Sequence, residues 1–257
     1  MPRVRERRWP ASQQHHNSIA TASTRPAKGG SGNDAVTVED LKMAMRGNTT
    51  GDMFDKPGNE QLSEGAWLLR GFASSIMGEV TALIDQVAGQ APFRQMTTPG
   101  GYPMSVAVTS CGSVGWISDK QGYRYSSTDP ETGRPWPTMP PALFSLATRA
   151  ATQAGYPGFA PDSCLINEYR PGAAMGLHQD KDEQDMSMPI VSVSVGLPAT
   201  FLWGGTQRSA PLRKVVLHHG DIVVWGGPAR LVYHGIERLT SGPGYRTRRN
   251  LTFRKAS

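Results

Sequence analysis

From residue 163 onward the chain breaks into apolar stretches of four to seven residues, each fenced by Gly, Pro, Asp or Asn. None of these stretches has the length or the 3.6-residue period of a helix, and their punctuation predicts strands over 163–169, 190–195, 200–203, 214–217, 221–225, 231–234 and 249–253. Short strands so closely spaced build a sandwich or a barrel, not a parallel α/β sheet. Upstream, Phe72, Ile76, Val80, Leu83 and Val87 recur at helical spacing, with Gly89 as the stop. A second helix is expected over 141–154, turning Leu143, Leu146, Ala147 and Ala150 inward before Gly155. Between the helices, 91–102 reads as a turn, and 104–108 and 114–117 read as strands. The expected class is mainly β with flanking helices (α+β), in the form of a double-stranded β-helix or jelly roll.

Residues 1–64 are rich in Ser, Thr, Gly, Asn, Gln and Arg without a sustained apolar period, and are expected to be a disordered basic tail with one short helix near 36–45. His15 and His16 have no further ligand nearby and read as an incidental polar pair. The folded domain is then 65–257. Net charge is +6, unevenly spread: residues 1–50 carry 8 Lys/Arg against 4 Asp/Glu, and residues 208–257 carry 10 against 2. Such excess attracts anionic partners, although a charge cluster is most often a solvated face. Cys111 and Cys164 form no CxxC, which argues against a structural zinc site or a disulfide scaffold. No apolar run approaches a membrane span, and the basic start lacks the apolar core of a secretory signal. A cytoplasmic monomer with no membrane partner is the expectation.

The candidate chemistry centres on His178 and Asp180. Two residues apart on an extended backbone, their side chains leave one face and can hold one metal ion. His234 is the best remaining third ligand, and a His-x-Asp pair completed by a distant His is the facial triad of non-haem Fe(II) oxygenases. Alone, His-x-Asp is a weak signal. His218 and His219, adjacent and therefore facing opposite ways on a strand, read as structural.

Strand parity sharpens the reading. In 248–254, Arg248, Asn250, Thr252 and Arg254 share one face while Leu251 and Phe253 take the other. A polar face turned into the barrel would offer two guanidiniums and an amide to a dicarboxylate through charge-assisted hydrogen bonds. Asn167 and Tyr169 share a face of their own strand. The aromatic residues Trp116, Tyr123, Tyr125 and Trp136, with Lys120 and Arg124 interleaved on Gly- and Pro-rich segments, match the way proteins stack exposed bases and hold phosphates.

These segments, together with 92–96, 99–102, 189–198 and 219–227, resemble the bacterial AlkB alkylated-DNA repair dioxygenases from about residue 65 to the end. The connection 239–247 is shorter than in that family, so the register of Arg248 rests on the Arg-x-Asn-Leu-Thr-Phe-Arg match. The resemblance implies Fe(II), 2-oxoglutarate and dioxygen as cofactor and co-substrates. It also implies demethylation of 1-methyladenine- or 3-methylcytosine-type bases in single-stranded or flipped-out DNA, releasing formaldehyde, succinate and carbon dioxide. It places iron on His178, Asp180 and His234, and 2-oxoglutarate on Asn167, Tyr169, Arg248, Asn250 and Arg254, with Arg254 expected at the far carboxylate and Arg248 nearer the metal. Trp116 and His178 would sandwich the base inside a nucleotide-recognition lid at about 91–139. Thr98, Tyr102, Met104, Ser105, Tyr123 and Arg208 would lie along the nucleotide, and Asp182 would favour a cationic ring. Alternatives are the same chemistry on double-stranded DNA, on methylated RNA or tRNA or on protein, and, more remotely, a non-catalytic nucleic-acid-binding module.

Overall fold

The computed structural model describes residues 58–257. The short helix near 36–45 and the pair His15-His16 lie outside the described residues. Regular structure begins earlier than expected, inside the stretch read as tail, because β1 (Glu60–Ser63) folds back on β2 (Ala66–Leu69). Gly65, at φ 75°, makes the reversal possible. β1 is an edge strand with one buried residue, Leu62, so no alternation announces it in the sequence.

The first helix, α1 (Met77–Gln90), starts later than Phe72 and runs through Gly89. Its buried residues are Met77, Val80, Ile84 and Val87, and Leu83 is half-buried against the same core. Helix α2 (Pro141–Gln153) opens on proline and buries Leu143, Leu146, Ala147 and Ala150 as expected. The remaining strands are β3 (Arg94–Thr97), β4 (Pro103–Gly112), β5 (Gly115–Asp119), β6 (Gly122–Ser126), β7 (Ser163–Tyr169), β8 (Met175–His178), β9 (Ile190–Gly196), β10 (Ala199–Trp203), β11 (Arg213–Leu217), β12 (Ile222–Trp225), β13 (His234–Ile236) and β14 (Arg248–Arg254). Two expectations shift: 94–97 is strand rather than turn, and in 231–234 only His234 is strand.

An eight-stranded sheet runs β1-β2-β12-β9-β14-β7-β4-β3, and a four-stranded sheet runs β11-β10-β13-β8. A separate hairpin joins β5 to β6. The arrangement is the jelly roll anticipated. One face of the large sheet carries Ile166, Val191, Val193, Leu251 and Phe253 against α1 and α2. The other face carries Leu165, Tyr169, Val223 and Trp225, which pack with Phe201, Trp203, Val215 and Ile236 of the small sheet. β14 sits between β9 and β7, with Arg248 opposite both Tyr169 and Gly196, which fixes the register that the short 239–247 connection left open.

Alternation along β14 therefore divides its residues between two jobs. Leu251 is fully buried on the helix side, away from the polar row. Leu251→Ala should lower unfolding free energy by about 2–5 kcal/mol in urea titration, while leaving divalent-metal affinity unchanged. A large loss of metal affinity with little loss of stability would contradict the assignment of faces.

Candidate active site

The two sheets enclose a cavity of about 420 Å³. Into it project the polar row of β14, Asn167 and Tyr169 from β7, and both histidines. β8 and β13 pair antiparallel with His178 directly opposite His234. A bulge follows, with Ile236 opposite Met175. Gly235 permits it, since a Cβ there would press on Met175 O at 2.7 Å.

Backbone carbonyls settle the tautomers. His178 Nδ1 lies 2.9 Å from Gly176 O, and His234 Nδ1 lies 2.9 Å from Val232 O. A carbonyl only accepts, so each Nδ1 carries the proton and each Nε2 presents a lone pair. Those Nε2 atoms lie 3.6 and 3.9 Å from the two oxygens of Asp180. Burial pushes His234 down to about 4, with the neighbouring His178 adding to the fall and Asp180 opposing it, so this imidazole is neutral near pH 7. Burial would raise the Asp180 carboxyl, but Arg254 and the two histidines outweigh it and keep it ionised. Among the described residues, these three are the only metal-suited cluster, with ligand atoms within 4.8 Å of one another. Two neutral nitrogens and one carboxylate on one face suit ferrous iron and leave positions for further ligands.

Other side chains hold this segment in place. Arg230 donates to Asp180 O at 2.6 Å, Gln179 Nε2 to Leu231 O at 2.6 Å, and Arg208 to Leu177 O at 2.8 Å. Arg254 Nη2 donates to Asp180 Oδ2 at 2.9 Å. Its Nε lies 3.1 Å from Glu183 Oε1, within ion-pair distance but outside hydrogen-bond alignment.

Arg248 is different. It is 1% exposed, and among the described residues the only hydrogen bond of its guanidinium runs to Ser194 Oγ at 3.0 Å. Its Nε and Nη1 are buried without partners, as are Arg254 Nη1 and Asn167 Oδ1. Among the described residues no carboxylate pairs with Arg248, and burial draws its guanidinium down to about 10. A buried guanidinium without a counter-ion is strongly unfavourable, so these orphaned donors fit a dianionic ligand such as 2-oxoglutarate. The Tyr169 hydroxyl, 3.6 Å from Met175 Sδ, stands beside them, and burial pushes it up to about 12. Asn250 donates to Ser192 Oγ and Val193 O and accepts from Thr252, so its amide is already engaged within the sheet. Arg254 touches the carboxylate of Asp180, and Arg248 is six residues away along β14.

The expected nucleotide residues divide in two. Met104, Trp116, Tyr123, Asp182 and Arg208 line the cavity. Trp116 and Tyr123 stack at 5.5 Å and 15°, and Trp116 Nε1 donates to Asp182 Oδ2 at 2.9 Å. Asp180 and Asp182 both lie beyond the strand, which ends at His178, and both line the cavity. Thr98, Tyr102 and Ser105 lie outside the cavity. Thr98 Oγ1 accepts from Tyr102 N–H in a turn, Tyr102 is 74% exposed, and Ser105 donates to Ala174 O.

Two electrostatic expectations change. Arg124 is held by Asp119 at 2.7 and 2.9 Å, leaving it little attraction for phosphate. The basic excess of 208–257 is largely consumed internally, because Arg213, Lys214, Arg230, Arg249, Arg254 and Lys255 all pair with carboxylates. Sequence reasoning singled out Tyr125 as an aromatic but missed its partner Glu183 and Arg230, because this pairing brings β6 and two loops together and leaves no trace in alternation or spacing.

No described helix is long and apolar enough to cross a membrane. The 2OG-Fe(II) oxygenase superfamily model matches residues 65–254. The chain is 56% identical to "Alpha-ketoglutarate-dependent dioxygenase AlkB" of Escherichia coli (strain K12), over 78% of this chain and 94% of that protein. It is 51% identical to the AlkB homolog of Caulobacter vibrioides (strain NA1000 / CB15N), over 68% of this chain and 81% of the other. The solved structure of OsALKBH1 superposes with a TM-score of 0.66 at 28% identity, covering 77% of this chain and all of that one. With its two histidines and one aspartate gathered beside orphaned arginine donors, the chain belongs to the 2OG-Fe(II) oxygenase superfamily as an AlkB-type dioxygenase dependent on Fe(II), 2-oxoglutarate and dioxygen.

Proposed function

We propose that this enzyme removes methyl groups oxidatively from nucleic-acid bases, with 1-methyladenine- and 3-methylcytosine-type lesions in single-stranded or flipped-out DNA as substrates. The observation that carries the proposal is the presence, in one cavity, of the His178–Asp180–His234 cluster and the stacked wall of Trp116 and Tyr123. A methyl group on a pairing edge is out of reach inside a duplex, so the base must leave its stack.

His178, Asp180 and His234 would hold iron, and Asn167, Tyr169, Arg248, Asn250 and Arg254 would surround 2-oxoglutarate. Bound iron supplies the oxidation of the methyl carbon by dioxygen, coupled to conversion of 2-oxoglutarate to succinate and carbon dioxide. Because Arg254 sits on Asp180, we assign it the metal-side carboxylate, and we assign the far one to Arg248. Trp116 and His178 would flank the base. Asp182, tethered through Oδ2 to the indole, keeps Oδ1 for a cationic ring. The hydroxylated methyl group then leaves as formaldehyde, restoring the base.

We assign 91–139 as the nucleotide-recognition lid, with Thr98, Tyr102, Met104 and Ser105 running along the nucleotide and Arg208 at the cavity mouth. The buried free thiols Cys111 and Cys164 favour a reducing compartment, so we place the enzyme in the cytoplasm.

Trp116→Ala should weaken binding of a methylated oligonucleotide by about 1–3 kcal/mol, while 2-oxoglutarate turnover without substrate persists. Unchanged demethylation would make Trp116 a structural aromatic only. The function itself is tested by supplying iron, 2-oxoglutarate and air with 3-methylcytosine in single-stranded DNA, the same lesion in RNA, or a methyl-lysine peptide. Formaldehyde should appear fastest with DNA. Faster release from RNA would reassign the substrate, and release from the peptide alone would overturn the proposal.

A further inference from the structure

The hairpin β5–β6 belongs to neither main sheet, and a two-stranded ribbon is only marginally stable by itself. Its turn end is fastened by Ser118, which donates through Oγ to Thr97 O at 2.6 Å. Its cavity end is fastened elsewhere. Trp116 and Tyr125 are direct cross-strand partners, and each reaches a different carboxylate of the segment that follows Asp180. Trp116 meets the exposed Asp182, and the contact ends there.

Tyr125 leads inward. Its hydroxyl donates to Glu183 Oε1 at 2.7 Å, and burial raises the phenol well above its usual range, so it stays a donor. Glu183 is 7% exposed and lies between two guanidiniums, Arg230 through Oε2 at 2.8 Å and Arg254 beside Oε1 at 3.1 Å. Arg254 continues to Asp180 Oδ2, and Arg230 to Asp180 O. Every contact from the hairpin hydroxyl to the metal-site carboxylate is thus made between buried or half-buried groups, where a misplaced charge is costly.

We propose that Tyr125 and Glu183 are positioning residues that join the base-stacking hairpin to Asp180 through Arg254, so that filling the metal site orders the surface on which the base stacks. The inference rests on the proposed function for the meaning of both ends, but it concerns the link itself. A cation on Asp180 fixes that carboxylate. Arg254 is then fixed with it, Glu183 has fewer positions available, and Tyr125 holds the hairpin. By reciprocity, a base against Trp116 strengthens metal binding.

The test follows amide hydrogen exchange across residues 115–126 in the full chain, with and without Co(II) plus 2-oxoglutarate, while Co(II) uptake is measured separately. In the parent chain, loading should slow exchange by about fivefold, the lower edge of ordinary coupling between sites. Tyr125→Phe and Glu183→Gln should lose that slowing while still taking up Co(II). Tyr156→Phe, which removes a hydroxyl bonded to Gly65 O far from the hairpin, should retain it. Co(II) uptake with no slowing in the parent chain, or slowing retained in Tyr125→Phe, would overturn the relay and leave the metal site standing. No Co(II) uptake at all would overturn the relay and the proposed function together.

Discussion

The placement of His178 opposite His234 across β8 and β13 is the constraint on which the site depends. Strand side chains alternate with a period of two, so a slip of one residue would turn an imidazole out of the cavity. The bulge at Gly235 shifts the register immediately after the two histidines meet, and pairing resumes with Ile236 opposite Met175. The opposite wall relies on the same rule. β14 is locked on both edges by β9 and β7, and its parity alone sends Arg248, Asn250, Thr252 and Arg254 inward and Leu251 and Phe253 to the helices.

Charge balance then separates the two ends of the cavity. At the metal end, Asp180, Glu183, Arg254 and Arg230 neutralise one another, and their mutual hydrogen bonds offset part of the desolvation of four ions. At the other end Arg248 has only a serine hydroxyl. An isolated buried cation persists where a ligand supplies the missing charge, so a dianion bridging the two arginines suits the cavity better than a neutral molecule.

Much of this was legible in the sequence where strands are long enough to alternate. β7, β9 and β14 could be read nearly to the residue, and β14 by itself disclosed which side chains enter the cavity. β8, four residues containing a glycine, has too little pattern to be seen. Parity gives a face but not which arginine is nearer the metal-site carboxylate, and the contact of Arg254 with Asp180 appears only in the fold. Glu183 and Arg230 stayed hidden because loop residues meet through tertiary packing alone. The basic carboxyl-terminal region read most simply as a solvated face, yet six of its ten cations pair with carboxylates.

The central claim is that two imidazoles, one carboxylate and an unanswered arginine form a single ion-and-dianion site. Anomalous diffraction from crystals loaded with Co(II) and 2-oxoglutarate measures this directly. The account predicts one metal peak at about 2.0–2.2 Å from Nε2 of His178, Nε2 of His234 and an Asp180 oxygen, with the distal carboxylate of 2-oxoglutarate on Arg248. A peak away from those three atoms, or a dicarboxylate that leaves the Arg248 guanidinium without a partner, would contradict it.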